Sequence, residues 1–425
     1  MLTILLAGSI KATDTGPTLM PRTGEGMVYD SLNDRVVIYG GYLANNPFEF
    51  LNGTWTYSFG ENLWTRINVA VDPGPRGAPA MAYSPDHKMI LLFGGMNAQG
   101  RLDDTWAFDC GAERWTKLEP GNRPEGRGDS AMVYDATNKK FILYGGWGDR
   151  SGLQSDTWVY DPDEEDWAEV KTETSPGRMY GQSMVWDQGP KRAILYGGHL
   201  NSPVSHVYVE NPWFFYPENG TWVEHVLESR PPGRYWGAMG YDFEEMKLAY
   251  FGGGWGEGPS NETYVLDLRG DRWSKLETED SPSSRVISRM VFVPENGFLL
   301  FGGATPSRDH FNDTWVLSPD AKTWIKLHPT TANKNLIPPS STQGIPGFPL
   351  TSILAGLALL IIMRRYSMRG STFRIWLDAL PAQIQQFYER PQLAHAGEVA
   401  WKRPSALFLG LRVARCRGAP SWVGV

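Results

Sequence analysis

Two kinds of side chain in this sequence have the chemistry and the spacing for recognition: a recurring arginine and a set of aromatics beside it. Arg22, Arg76, Arg127, Arg178, Arg234 and Arg285 precede Met27, Met81, Met132, Met184, Met239 and Met290 by five residues, or by six at Arg178. Guanidinium groups pair bidentately with carboxylates, so arginines converging on one rim would suit an acidic partner. Tyr180 and Trp236 stand two residues after Arg178 and Arg234, and Tyr42, Trp147, His199 and Trp255 closely follow Gly-Gly doublets. Flat apolar rings beside hydrogen-bond donors suit sugar rings or peptide anchors.

Catalytic chemistry is harder to find. There is no Gly-x-Ser-x-Gly and no His-Glu-x-x-His, and His87, His199, His206, His225, His310 and His328 are not paired at metal-ligand spacing. The glycines at 252–258 resemble a phosphate loop only loosely, and they join two strands rather than a strand and a helix. The acidic run Asp161–Asp166 has the oxygens to hold a cation but reads better as a solvated hairpin. Cys110 and Cys416 flank an apolar segment, so no disulfide framework is expected. No metal and no cofactor are expected. The net charge is -7, and residues 366–425 hold eight Arg or Lys against three Asp or Glu, so the body before them is strongly acidic. An acidic body excludes phosphate-backbone binding as its task, and no nucleic-acid partner is expected.

The elements that must position these residues repeat. Gly40-Gly41, Gly94-Gly95, Gly145-Gly146, Gly197-Gly198, Gly252-Gly253 and Gly302-Gly303 recur at steps of 50 to 55 residues, each ending an apolar run. A fixed period of this length marks a repeat array. After each doublet come two aromatics nine residues apart: Trp55/Trp64, Trp106/Trp115, Trp158/Trp167, Trp213/Trp222, Tyr264/Trp273 and Trp315/Trp324. Each unit reads as four short strands joined by turns rich in Gly, Asn, Asp and Pro. One such sheet cannot bury both faces alone, whereas radial packing of several can.

The compound motif of strand, Gly-Gly, Asp-Thr-Trp and a second Trp nine residues on resembles the kelch repeat family over residues 20–328. The resemblance implies an all-β chain: a six-bladed kelch-type β-propeller like the central domain of galactose oxidase. It further implies that the repeat arginines sit near the channel mouth. The copper site of galactose oxidase needs paired Tyr and His with a Cys joined to one Tyr, and these residues do not supply it. Each end of the array is a whole blade, so closure is expected through contact between the sixth and first.

The ends differ in kind. Residues 1–19 resemble a signal-peptide remnant or N-terminal extension. Residues 329–344 read as a Pro/Ser/Thr stalk. Residues 345–363 carry no charge and are followed by Arg364-Arg365, which predicts one C-terminal transmembrane helix with the propeller outside. Pro346, Gly347 and Phe348 resemble the PGF-type sorting signal of archaeal surface proteins, which implies an anchor cut and exchanged for lipid. Residues 366–425 read as a basic, poorly ordered tail.

The expected function is therefore a cell-surface binding or adhesion module, not an enzyme. Its membrane contact is residues 345–363. Its ligand is a glycan or protein, met by the face bearing Arg178, Tyr180, Arg234, Trp236, Trp147, Trp255, His199 and Tyr42. A sugar-acting mutarotase- or oxidase-like enzyme and an architectural envelope protein are the alternatives.

Overall fold

The computed structural model describes residues 18–45, 47–200, 207–255 and 258–334, and every regular element within them is a strand. Six antiparallel four-stranded sheets follow one another along the chain, at 26–67, 80–118, 131–170, 183–224, 235–276 and 289–327. In each, the strands lie in sequence order from the first, innermost strand to the fourth, outermost one. The first strands are Gly26–Asp30, Ala80–Ser84, Ala131–Asp135, Ser183–Asp187, Tyr235–Asp242 and Arg289–Val293. Each neighbours the next, and the sixth returns to the first, so the sheets form a closed ring. The predicted apolar segment at 345–363 and Pro346-Gly347-Phe348 lie outside the described residues. Among the described residues no helix is long and apolar enough to cross a membrane.

Packing between sheets holds the ring. Six apolar clusters sit one to an interface, and the last joins sheet six to sheet one through Val293, Leu299, Phe301, Trp55, Tyr57 and Trp64. Burying one aromatic of this size removes roughly 150–250 Å² from water, worth roughly 4–6 kcal/mol at about 25 cal/mol per Å². The second aromatic of each nine-residue pair also reaches across the interface. The Trp115 Nε1 donates to Thr54 Oγ1 at 2.8 Å, Trp167 to Thr105 at 3.0 Å, Trp222 to Thr157 at 2.9 Å and Trp324 to Thr263 at 2.8 Å. Trp64 closes the circle on Thr314 at 3.0 Å. Each acceptor is the threonine directly before the first aromatic of the pair, one sheet back. Trp273 lacks the bond, because the residue in that place is Pro212, and its indole N–H has no partner.

A second ring runs around the axis. Gly24, Ala78, Asp129, Gly181, Trp236 and Ile287 stand at or just before the start of the six first strands, and all have φ between 50° and 70°. The amide of each donates to the carbonyl of the one before, at 2.6–3.4 Å, and Gly24 donates back to Ile287. Positive φ is uncommon for non-glycine residues; here the closed hydrogen-bond circuit holds four of them there. The Gly-Gly doublets have a different constraint. At Gly94 a Cβ would lie 2.7 Å from the carbonyl oxygen of Arg127 and 2.8 Å from that of Leu102, so only glycine fits.

Closure differs from expectation in one respect. Sheet six is built from its own contiguous strands, as expected. Residues Thr330–Asn333, which the sequence reading assigned to the stalk, form a strand paired in parallel with Leu63–Arg66 on the outer edge of sheet one. The end of the repeat array thus covers an otherwise open sheet edge.

Candidate functional site

The upper face is built by the connections from second to third strands and from fourth strands to the next sheet. The repeat arginines do not line it. Arg22, Arg76, Arg127, Arg234 and Arg285 are buried. Each sends Nη1 back to the first glycine of its own sheet's doublet, at 2.8, 2.9, 3.1, 3.3 and 3.0 Å. Four also pair with an acid two residues before the first aromatic: Arg76 with Asp104, Arg127 with Asp156, Arg234 with Glu262 and Arg285 with Asp313. The Arg76 pair is bidentate, at 2.7 and 2.8 Å. The aromatic secures the acid in turn, since Trp106 Nε1 donates to Asp104 Oδ2 at 2.7 Å. Burial alone would raise the Asp104 carboxyl, but the Arg76 hydrogen bonds and charge hold it below its ordinary value. These arginines fasten doublet to third strand. Arg234 is therefore buried in its sheet rather than presented on the face, and the expectation of six arginines on one rim is corrected.

Arg178 is different, and the backbone shows why. At the slot the arginine's backbone amide donates to a carbonyl of the preceding sheet: Arg76 N to Leu51 O, Arg127 N to Leu102 O and Arg285 N to Ser260 O. In sheet four that bond, to Gln154 O at 3.0 Å, comes from Met179. The repeat slot is thus filled by buried Met179, and Arg178 lies one residue outside it, exposed. The six-residue step to Met184 was the visible sign. The acid has gone as well: Asn211 stands where Asp104 and Asp156 stand in their sheets. Released from the slot, Arg178 reaches Ser151 O at 3.3 Å and Leu153 O at 3.2 Å on the neighbouring hairpin.

Beside it the aromatics meet. The Tyr180 ring lies 5.7 Å from Trp147, 5.5 Å from His199, 5.8 Å from Tyr235 and 5.4 Å from Trp236. Tyr208 stacks on Tyr235 at 5.8 Å and meets His199 at 5.5 Å. The fold explains the gathering: Tyr180 and Tyr235 occupy the residue after the slot in adjacent sheets, and His199 pairs with Tyr180 in register. Trp236 leans over Gly181, where a Cβ would meet its ring at 2.6 Å, and donates Nε1 to Asp129 Oδ1 at 3.2 Å across the channel mouth. Burial raises the Asp129 carboxyl, against the charges of Arg289 and Arg101. Burial, with Tyr235 and Asp129 nearby, pushes the Tyr180 hydroxyl up to about 12, so it stays a neutral donor. Trp147 is the open edge, 45% exposed, with the Arg101 guanidinium 5.5 Å from its ring.

Of the predicted residues, Arg178, Tyr180, Trp236, Trp147 and His199 come together in this region. Tyr42 does not. It is buried in sheet one under Phe48 and Phe50, its ring covering Gly24 and Gly77. Trp255 ends the strand Lys247–Trp255, which turns back to Gly258-Pro259. Tyr235, Tyr208, Arg101 and Asp129 were missed. Tyr235 adjoins Trp236 and was within reach of the same reasoning, whereas Tyr208 lies in the long connection after His199, where no repeat position marks it. Among the described residues no group of three or more His, Cys, Asp or Glu is placed to hold a metal.

A closed ring of four-stranded sheets, fastened by Gly-Gly doublets, arginines and Trp pairs, defines a kelch-repeat protein. The KLHDC2/KLHL20/DRC7 Kelch-repeats domain model matches residues 9–198 and 136–344, and the chain belongs to that family. It is similar to Kelch domain-containing protein 2 of Bos taurus, 22% identical over 74% of this chain and 72% of that protein. It is also similar to Adagio protein 3 of Arabidopsis thaliana, 26% identical over 60% of this chain and 43% of that protein. A third relative is the flagellar outer arm dynein alpha chain of Chlamydomonas reinhardtii, 30% identical over 34% of this chain and 3% of that protein. The chain thus spans less than half the length of the second and third.

Proposed function

We propose that the chain is a six-bladed kelch propeller that acts as a binding module, meeting a protein partner on the upper face of sheets three to five. One observation carries this reading: Arg178 and the aromatics around Tyr180 differ in type from the residues at the matching positions of the other sheets and gather on one face. Five repeat arginines are used up inside their sheets, while this one is exposed beside a partly open cluster of rings. Aromatic and arginine side chains grouped in this way dominate the energetics of protein interfaces. Membership of a family of kelch-repeat proteins supports the same reading. The exposed guanidinium fits a carboxylate of the partner, and Trp147 and Tyr180 fit an apolar anchor next to it.

The same flat rings would also stack on sugar, so a glycan is the second reading. We place the propeller outside a membrane, anchored through residues 345–363 and sorted by Pro346-Gly347-Phe348, with the uncharged segment and following Arg pair as support. The test is affinity capture with the full chain against envelope proteins and a glycan array. Trp147→Ala and Arg178→Ala should each weaken the specific hit at least tenfold while leaving folding intact. Hits that survive both changes would overturn the choice of face, and hits confined to glycans would select the second reading.

A further inference from the structure

The lower face holds a second site, unrelated to the aromatics above. The channel is pinched at mid-height by Met27, Met81, Met132, Met184, Met239 and Met290, one from each first strand, which are the residues shared by a cavity above them and a larger one below. The upper cavity measures about 110 Å³ and is rimmed by polar groups, among them Asp129 and Arg289. The lower cavity measures about 550 Å³ and opens among the first-to-second strand hairpins. That is the size of a small-molecule pocket.

Its lining repeats as regularly as the fold. Two residues after each methionine stands an aromatic: Tyr29, Tyr83, Tyr134, Trp186, Tyr241 and Phe292, all lining the cavity. Strand alternation puts methionine and aromatic on the same side of each first strand. Among the described residues the lining includes no charged side chain. Carboxylates lie immediately behind it, two of them in ion pairs, Asp86 with Lys139 at 3.2 Å and Asp187 with Arg192 at 3.0 Å. Tyr29 donates its hydroxyl to Asp34 Oδ1 at 2.8 Å, Tyr134 to Asp86 Oδ2 at 2.8 Å and Tyr241 to Asp187 Oδ1 at 2.7 Å. A phenol that donates to a carboxylate gains electron density on its ring. These bonds also fix the rings and occupy their hydroxyls; Tyr134 and Tyr241 are buried between sheets, whereas Tyr29, Tyr83, Trp186 and Phe292 are part-exposed to the cavity.

We propose that this funnel binds a free organic cation whose charge is wrapped in apolar groups, such as an alkylated ammonium. Aromatic faces attract cations through their quadrupole, and quaternary ammonium groups are the ligands that rings of aromatics suit best. Thioethers add polarizable, adaptable contacts. An anion would gain nothing from the aromatic faces and would still meet carboxylate oxygens behind the rings. A primary ammonium would lose strong hydration to a lining with few acceptors. A cation with an apolar shell satisfies both conditions.

The test uses the full chain titrated with benzyltrimethylammonium, followed by calorimetry and by tryptophan fluorescence. The uncharged isostere neopentylbenzene and the anion benzoate are the comparisons. Saturable binding of the cation, at least tenfold tighter than either comparison, is the expected result. Trp186→Ala should weaken it tenfold or more. Phe243→Ala, at a rim residue that is 50% exposed and so tolerant of change, should weaken it several-fold. Trp147→Ala on the upper face should leave it unchanged. No saturable binding, equal binding of neopentylbenzene, or indifference to both Trp186→Ala and Phe243→Ala would overturn the proposal.

Discussion

Sheets two and four show how this repeat works. In sheet two the slot holds Arg76, the acid is Asp104 and the next residue is Thr105, which receives the indole of Trp167. In sheet four the same three positions are Met179, Asn211 and Pro212. Arginine and acid have gone together here, which avoids leaving a buried acid uncompensated, whereas sheet one keeps its buried Arg22 with Gly53 in the acid's place. The apolar Met179 fills the slot instead, and sheet four keeps its strands and its place in the ring. The ion pair is therefore one solution to fastening doublet to third strand, and packing is another. Where packing serves, the arginine next to the slot is free to face outward.

Breaking the comparison should begin with the arginines. Arg127→Met places sheet four's residue in sheet three but leaves Asp156 without its partner. We expect a loss of about 3–5 kcal/mol, measured by urea denaturation. Arg178→Ala, exposed and outside the slot, should cost less than about 0.5 kcal/mol in the same assay. Equal losses would show that Arg178 is also architectural.

A second contrast sets sheet one against sheet four three residues after the slot. Gln182 donates its amide to Tyr144 O of the preceding sheet at 2.9 Å. Glu25 holds the same place at the closing interface, fully buried, with neither carboxylate oxygen hydrogen-bonded. Burial raises it from 4.5 to about 7, against the opposing charges of Arg289 and Arg22. The folded chain therefore prefers the neutral acid. Stability from this group is complete below about pH 4.5, declines as pH rises to 7, and is flat above. The decline is of order 3 kcal/mol at 1.36 kcal/mol per pKa unit. Glu25→Gln should remove it, so the mutant gains on the wild type from pH 5 to 8 in denaturation series. Parallel pH profiles would show that Glu25 does not titrate in this range.

The smallest effect sharpens the third difference. Pro212→Thr should give the orphan Trp273 indole an acceptor and add about 1 kcal/mol, read as a higher denaturation midpoint with unchanged slope. No gain would mean that the threonine bonds elsewhere add little to the ring.

Much of this fold was legible in the sequence because its fasteners repeat. The doublets located the second strands, and the nine-residue step located the third and fourth. What the arginines do was not legible. Arg127 and Asp156 are 29 residues apart, and only the folded sheet brings them together. Even so, Asn211 and the six-residue step after Arg178 were both on view, and read together they single out sheet four. The strand Thr330–Asn333 was hidden because Thr-Thr-Ala-Asn carries no alternation and its partner lies 267 residues earlier, at Leu63. The aromatic region was found in part, because post-doublet positions could be named but not their neighbours across sheets.

The circuit of six amides around the channel mouth has a mechanical meaning. Solenoid repeats answer only to their neighbours and can fray from an end. Here the head-to-tail bonds return to their start, so the mouth is a hoop with no end to fray from. Moving one sheet outward breaks a bond on each side of it, and strain at any sheet is shared around the circumference. Unfolding should therefore be a single cooperative event, and a ligand at the mouth meets an aperture of fixed width.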